Sequence, residues 1–391
     1  MQLIKRWHIG LALSAVLLTA IARADEVDDT ACSLARMEVA PLQVIEPCSA
    51  LLRRSDLSAE QRSAALFARG RAYHRTGRID LAGADYDAAL QLAPANDEIL
   101  VSRANVALRH GESRRGMGLL LKALEINPRN ARALRAVGAV YADSGATDQA
   151  IKYLSEALEV DSAEPYALLA RSQIYSGSQQ YLLALQDADR LVAIEPEIIN
   201  RAGYLDQAGR MQDFHVIALA NRSEILAAVG KFDAAERDLD AAVAYKWCTC
   251  TLTARAEFLR NRKRDDEALR DIDAVIALDP ENVHAFYLRG LTLMGFRRWR
   301  DAFDSLNRAL QIAPRYDYAL RMRARIYREF GQTEEAVRDY EAAILSSPRM
   351  IVETIPALQL AGYWRSREIP TAMTPELRDA IRACMLDKTC N

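Results

Sequence analysis

Aromatic residues make up only 7% of the 391 residues, and the formal charges nearly cancel, to −2. That balance removes any argument from overall charge for a nucleic-acid partner. Motifs that carry chemistry are scarce as well. The chain has no glycine-rich phosphate loop and no strand–turn–helix setting for a nucleophilic serine. It has no histidine at a metal-ligand spacing from another histidine, a cysteine or a carboxylate run. Past the first two dozen residues, no apolar run is long enough to span a bilayer. We therefore expect no catalytic residues, no metal, no cofactor, no nucleic acid and no membrane span in the mature chain. What is abundant is alanine and leucine, within a composition that is 50% hydrophobic, as suits packed helices.

The N-terminus reads as a leader. Lys5 and Arg6 precede an apolar run from Ile9 to Ile21, and Ala22-Arg23-Ala24 is a small-x-small cleavage site. Residues 1–24 are expected to be a signal peptide, with Asp25 the first mature residue and the mature protein periplasmic or secreted. The rival is an uncleaved membrane anchor, which the short run and the cleavage site disfavour. No cysteine follows the cleavage point, so a lipid-anchored form has no support. Losing Lys5, Arg6 and Arg23 takes the net charge to −5. Export would place all six cysteines in an oxidising compartment. They fall in three sequence-close couples, although six cysteines allow 15 connectivities. Cys32 with Cys48 and Cys384 with Cys390 are the expected bridges, because both couples lie in short ends with little core of their own. The state of Cys248 and Cys250, with one residue between them, stays open. A bridge there would be strained, and two sulfurs do not complete a tetrahedral metal site.

A ruler runs through the remainder. Pro94, Pro128, Ser162 and Pro196 follow one another at steps of 34 residues, and the step returns in Pro280, Pro314 and Pro348. Such a period marks a stacked helical array whose units bury their faces on their neighbours. In the first unit Leu66, Gly70 and Tyr73 share one helical face, and Gly77 marks a turn. Ala82, Tyr86 and Ala89 form the facing stripe of a second helix, which Pro94 closes. The small first-helix position recurs as Gly70, Ala104, Gly138, Ser172, Ser223, Ala256, Gly290 and Ala324. Its partner on the second helix recurs as Ala82, Gly116, Ala150, Ala184, Ala235, Ala268, Ala302 and Ala336. Small residues there let helix backbones approach to about 8–10 Å.

On these positions the chain resembles the tetratricopeptide repeat family. The resemblance implies an all-α, right-handed α-solenoid of about eight helix pairs, with disulfide-clipped end segments. Repeats 1–4 would span residues 63–196 and repeats 5–8 residues 216–348, with an N-terminal capping segment at 25–62. Between Ala184 and Ala235 the step lengthens to 51 residues, which places an insert at 197–215. It is either a lengthened loop or extra helical turn, or a partner-specific element or hinge between two halves. In the capping segment, Pro47 suits the first position of a helix running to Arg54. Residues 349–391 resemble, through Leu358, Gly362, Tyr363 and Thr374 to Ile381, the helical peptidoglycan-binding-like modules of envelope proteins. EIPTAM replaces the glycine-rich turn of those modules, so a helical cap is the competing reading.

In this family the first helix of each repeat lines the groove. The resemblance therefore makes Arg71, Arg75, Asn105, Arg109, Arg132 and Arg135 groove residues, together with Tyr318, Arg321, Arg325 and Arg328 in the last repeat. Arginine forks suit carboxylates, so the expected partner is a protein or peptide, possibly an acidic one. The alternative is that these arginines are a solvated face neutralised by neighbouring carboxylates. Some members of the family clamp a peptide's terminal carboxylates. Of that clamp only Asn105 is matched, and Ala136 occupies a slot where asparagine is expected, so the clamp is not assigned. The resulting expectation is an exported binding scaffold for envelope assembly, secretion or complex organisation. The alternatives are a cell-wall glycan binder acting through its C-terminal segment, with peptidoglycan contact, and a subunit whose array docks an enzyme.

Overall fold

The computed structural model describes Cys32 and residues 40–202, 204–205, 211–347, 349–366, 368–370 and 372–387. The expected leader, Gly203 and Gly209 of the insert, and Cys390 lie outside the described residues. The described chain is helical apart from one two-residue strand pair, and it divides into two compact units, residues 1–231 and 232–391.

The first unit begins with α1 (Leu42–Leu52) and continues as helix pairs: α2 (Ala59–Arg75) with α3 (Ile79–Leu92), and α4 (Asp97–Arg109) with α5 (Ser113–Ile126). Next come α6 (Ala131–Asp143) with α7 (Thr147–Val160), and α8 (Pro165–Gly177) with α9 (Tyr181–Val192). The unit closes with α10 (Pro196–Ala202), the strands β1 (Tyr204–Leu205) and β2 (Met211–Gln212), and α11 (Phe214–Ala228), which packs on α9. The second unit starts with α12 (Phe232–Tyr245). It continues with α13 (Thr249–Asn261) paired to α14 (Asp265–Leu278), α15 (Val283–Gly295) to α16 (Trp299–Ile312), and α17 (Asp317–Glu329) to α18 (Thr333–Ser346). It ends with α19 (Arg349–Leu360) and α20 (Pro375–Leu386). Within each unit the second helix of a pair also packs on the first helix of the next, giving the stacked helix pairs of an α-solenoid.

The ruler has a local cause. Pro94, Pro128 and Pro280 each stand two residues before an asparagine that caps the next helix. Asn96, Asn130 and Asn282 accept from the N–H groups of Ile99, Ala133 and Ala285 at 3.1, 2.9 and 3.0 Å. The small positions are buried in every repeat. A methyl group added to Gly290 would meet Leu306 Cγ at 2.8 Å and the Ala302 carbonyl oxygen at 3.2 Å. Gly138 is equally tight against Leu154 and the Ala150 carbonyl. The turn between paired helices needs a left-handed residue, which Gly77, Gly111 and Gly145 supply. Gln179, Lys263 and Arg297 hold the same conformation in their repeats without glycine's freedom.

A second lattice, missed in the sequence, ties neighbouring pairs together. Arg171 on α8 makes a two-pronged bond to Asp187 on α9 (2.7 and 2.8 Å), and its third nitrogen reaches Ser155 on α7 (2.8 Å). Arg69, Arg255 and Arg323 repeat the arrangement with Asp85, Asp271 and Asp339, each also bonding the helix before (Ser49, Asp240 and Asn307). The four aspartates are buried. Each guanidinium thus spans the second helix of its own pair and the helix before the pair, and fixes their spacing. Val137 occupies the equivalent slot of α6, where Tyr141 stacks on Tyr153 at 5.6 Å.

The ends depart from expectation in detail. The capping helix starts at Leu42, so Pro47 lies inside it and not at its first position. Pro41 occupies the cap position, and the buried stripe Val44, Cys48 and Leu51 holds the helix. Val44 and Cys48 pack on Ala68 and Ala72 of α2. This burial, with the Cys32–Cys48 disulfide, offsets the hydrogen bond that an internal proline forfeits. At the other end, Ile351, Ile355, Leu358, Leu377 and Ile381 join one apolar cluster with Ala336 and Ala343 of α18. Arg378 pairs with Glu341 (2.6 Å) and Arg382 with Glu334 (2.5 Å), so α20 is pinned across α18 as a cap. Gly362 turns the chain after α19 with φ +81°, and the Tyr363 hydroxyl donates to Asp387 at 2.6 Å. Cys384 is disulfide-bonded. Cys248 and Cys250 are bridged to each other, the pairing left open from sequence.

The insert contributes one short helix and a minimal antiparallel ladder, with Tyr204 opposite Gln212 and Leu205 opposite Met211. The Asn200 side chain accepts from the His215 N–H at 3.1 Å, which ties the ladder's flanks to the start of α11. Asp213 caps that helix.

Candidate functional site

In the first unit the arginines come from the first helices of three consecutive repeats: Arg71 and Arg75 from α2, Arg109 from α4, Arg132 and Arg135 from α6. The charges of four of them act on His74. Burial pushes His74 down to about 4, and the positive charges of Arg109, Arg132, Arg71 and Arg75 push the same way. Its Nε2 is shielded from solvent and has no hydrogen-bond partner among the described residues. Partial burial and four arginine charges together keep this imidazole neutral. One wall is partly neutralised, because Arg132 pairs with Glu98. Arg109 is exposed on α4 and Asn105 is half-buried beside it.

Arg135 stands apart from this group. Its guanidinium lies 4.7 Å from the centre of the Tyr166 ring and 3.3 Å from the Glu164 carboxylate. Glu164 also caps α8 by accepting the Ala167 N–H at 2.5 Å. Burial raises the Glu164 carboxyl despite Arg135, so the arginine is part of what keeps the cap charged. The structure gives Arg135 a place in the seam between two repeats.

In the second unit Tyr318 is half exposed and packs into a trio of tyrosines. Its ring centre lies 5.7 Å from both Tyr287 and Tyr316. Glu257 of α13 accepts from His284 Nε2 at 2.8 Å, which leaves Nδ1 to accept the Tyr316 hydroxyl at 3.0 Å. Burial pushes Tyr316 up to about 12, so that hydroxyl keeps its proton and stays a donor at neutral pH. Glu257, His284, Tyr287 and Tyr316 were not singled out from sequence. The available signal was Tyr316 itself, which fills the cap slot that holds asparagine in Asn96, Asn130 and Asn282. Arg321, Arg325 and Arg328 follow Tyr318 along α17, and Arg321 lies 3.5 Å from Glu353. The sequence placed these ten residues on the first helices of their repeats. The structure brings the charges of four of them to act on His74 and sets three along one wall of α17.

Among the described residues no three histidine, cysteine or acidic side chains form a metal-binding group. No described helix is long and apolar enough to cross a membrane.

Comparison with known proteins places this architecture. Tetratricopeptide repeat profiles match residues 63–96, 101–167, 254–317 and 319–349, together half of the chain. The chain belongs to the tetratricopeptide repeat family, as a repeat scaffold. Among solved structures it is similar to yeast Tom70, with a TM-score of 0.52 and 16% identity, covering 80% of this chain and 66% of that one. It is also similar to a chain of the APC/C hetero-tetramer Cut9–Hcn1, with a TM-score of 0.51 and 13% identity, covering 88% of this chain and 59% of that one. A curated relative is a probable UDP-N-acetylglucosamine–peptide N-acetylglucosaminyltransferase, SPINDLY, of Solanum lycopersicum, 28% identical over 93 residues. That match covers 24% of this chain and 10% of the relative.

Proposed function

We propose that the protein is an exported, non-enzymatic scaffold that holds an acidic protein or peptide segment against the first-helix face of its first unit. The observation that carries this reading is the convergence of Arg71, Arg75, Arg109 and Arg132 on the shielded, unprotonated His74. Arginine side chains presented together from three successive first helices favour an anion, which their planar forks hold in charge-assisted contacts. Oxidation at Cys32–Cys48, Cys248–Cys250 and Cys384 supports an oxidising compartment, the periplasm or the exterior. There the scaffold would serve envelope assembly, secretion or complex organisation. Asp25 would then be the first residue of protein recovered from that compartment, and a chain still starting at Met1 would contradict export by a cleaved leader.

The partner chemistry is tested with a fluorescently labelled peptide of alternating glutamate and alanine against its glutamine counterpart. Exchanging both Arg75 and Arg109 for alanine should weaken the glutamate peptide by about tenfold and leave the glutamine peptide unaffected. The glutamate affinity should also fall as salt is raised. Equal affinity of both peptides for the unaltered protein would refute the acidic partner.

A further inference from the structure

Where the last helix pair meets its cap, the second unit has a partly open chamber of about 410 Å³. One wall is cationic, formed by Arg321, Arg325 and Arg328 of α17. Leu358 of α19 and Ile381 and Met385 of α20, all buried, supply the apolar floor. Arg321 faces Glu353 at 3.5 Å, whereas the guanidinium of Arg325 reaches the Met322 sulfur at 4.0 Å. The two hydroxyls in the lining, Tyr340 and Thr354, lie 3.3 Å apart and are engaged with each other. The cleft therefore offers an apolar floor, an arginine wall and only two neutral hydroxyls, which bond each other.

The geometry points to a binding site for a free amphipathic carboxylic acid, with its hydrocarbon tail among Leu358, Ile381 and Met385 and its carboxylate on the arginine wall. The volume lies within the range of small-molecule sites, which are mostly apolar with a few placed polar groups. A guanidinium meets a carboxylate in a charge-assisted, two-pronged contact. A peptide's chain end carries the same carboxylate, but its backbone amides would need partners inside the chamber. Two hydroxyls that already bond each other cannot serve every N–H and C=O of a peptide, and burying unpartnered amides is unfavourable. This site is separate from the His74 face and does not depend on what binds there.

The test is calorimetric titration of the full-length protein with decanoate, with decanol as the uncharged tail and N-acetyl-Leu-Leu as the peptide acid. Decanoate should bind one to one, at least tenfold more tightly than decanol or the peptide acid. Exchange of Arg325 for glutamine should cost decanoate about tenfold and leave decanol unchanged. Ala357 lines the chamber and is exposed on α19, so Ala357→Trp should fill the space and abolish binding of both. No decanoate binding, equal binding of decanol, or unaltered binding by Ala357→Trp with a wild-type melting curve would each overturn the assignment. Tighter binding of the peptide acid than of decanoate would overturn the choice of a free acid.

Discussion

Exchange of Arg171 for alanine is expected to lower the unfolding free energy by about 3–5 kcal/mol, the cost of leaving a buried ion without its partner. The Asp187 side chain is 3% exposed, and both of its oxygens are held by this one guanidinium. Removing the guanidinium leaves a desolvated carboxylate with Arg190, 3.5 Å from it, as a weaker cationic neighbour. The bond to Ser155 goes at the same time, so the tie between α7 and the α8–α9 pair is lost with it. Urea unfolding followed by helical circular dichroism measures the effect. Two comparisons give the prediction its content. Replacing Arg171 by methionine and Asp187 by leucine together should recover most of the loss, because an apolar pair of similar volume carries no stranded charge. Removing Arg289, whose partner Asp273 is 57% exposed, should cost under about 1 kcal/mol. A change below that figure at Arg171 would show that Asp187 is solvated or protonated once alone, and that the clamp does not hold the stack.

The contrast between these clamps and the repeat itself shows what a sequence makes legible. The 34-residue step survives inspection because it is steric. Gly138 and Gly290 have leucine side chains and a carbonyl within 3.2 Å of where a methyl would sit, so the small residue recurs wherever two helices cross. The clamps recur as faithfully, with an arginine followed by an aspartate 16 residues later at Arg69, Arg171, Arg255 and Arg323. Charged residues on a helix resemble a solvated face, however, and only the fold shows that these aspartates are buried. Pro47 misled for a related reason. Its missing N–H favours a helix start, but Pro41 already occupies that place and tertiary burial of Val44 and Cys48 carries the helix through the second proline. Of the candidate binding residues, the placement on first helices followed from register. Their grouping did not, because proximity among Arg71, Arg109 and Arg132 arises from stacking of three repeats. The chamber beside Arg325 needs α19 and α20, which lie outside the periodic part of the chain.

His74 makes the cationic face measurable without a ligand. An unfolded histidine titrates near 6.5, whereas burial and the surrounding arginines hold this one at about 4 in the folded chain. Between those values the unfolded state binds the extra proton, so stability falls as the pH falls. The contribution is fully present above about pH 6.5 and is lost on acidification through pH 4, amounting to about 2–3 kcal/mol. Exchange of His74 for glutamine should flatten that part of the stability–pH curve relative to the parent, as measured by urea midpoints from pH 7 to pH 4. Identical slopes in parent and variant would mean that His74 is solvated and that the arginines do not act on it. The same linkage reaches the ligand. An anion seated on Arg71, Arg75, Arg109 and Arg132 offsets the part of the depression that the arginine charges add to burial, so it raises the folded-state value and draws in a proton. A glutamate peptide should therefore bind more tightly at pH 5 than at pH 7, and the gain should disappear in the glutamine variant while the affinity at pH 7 is retained.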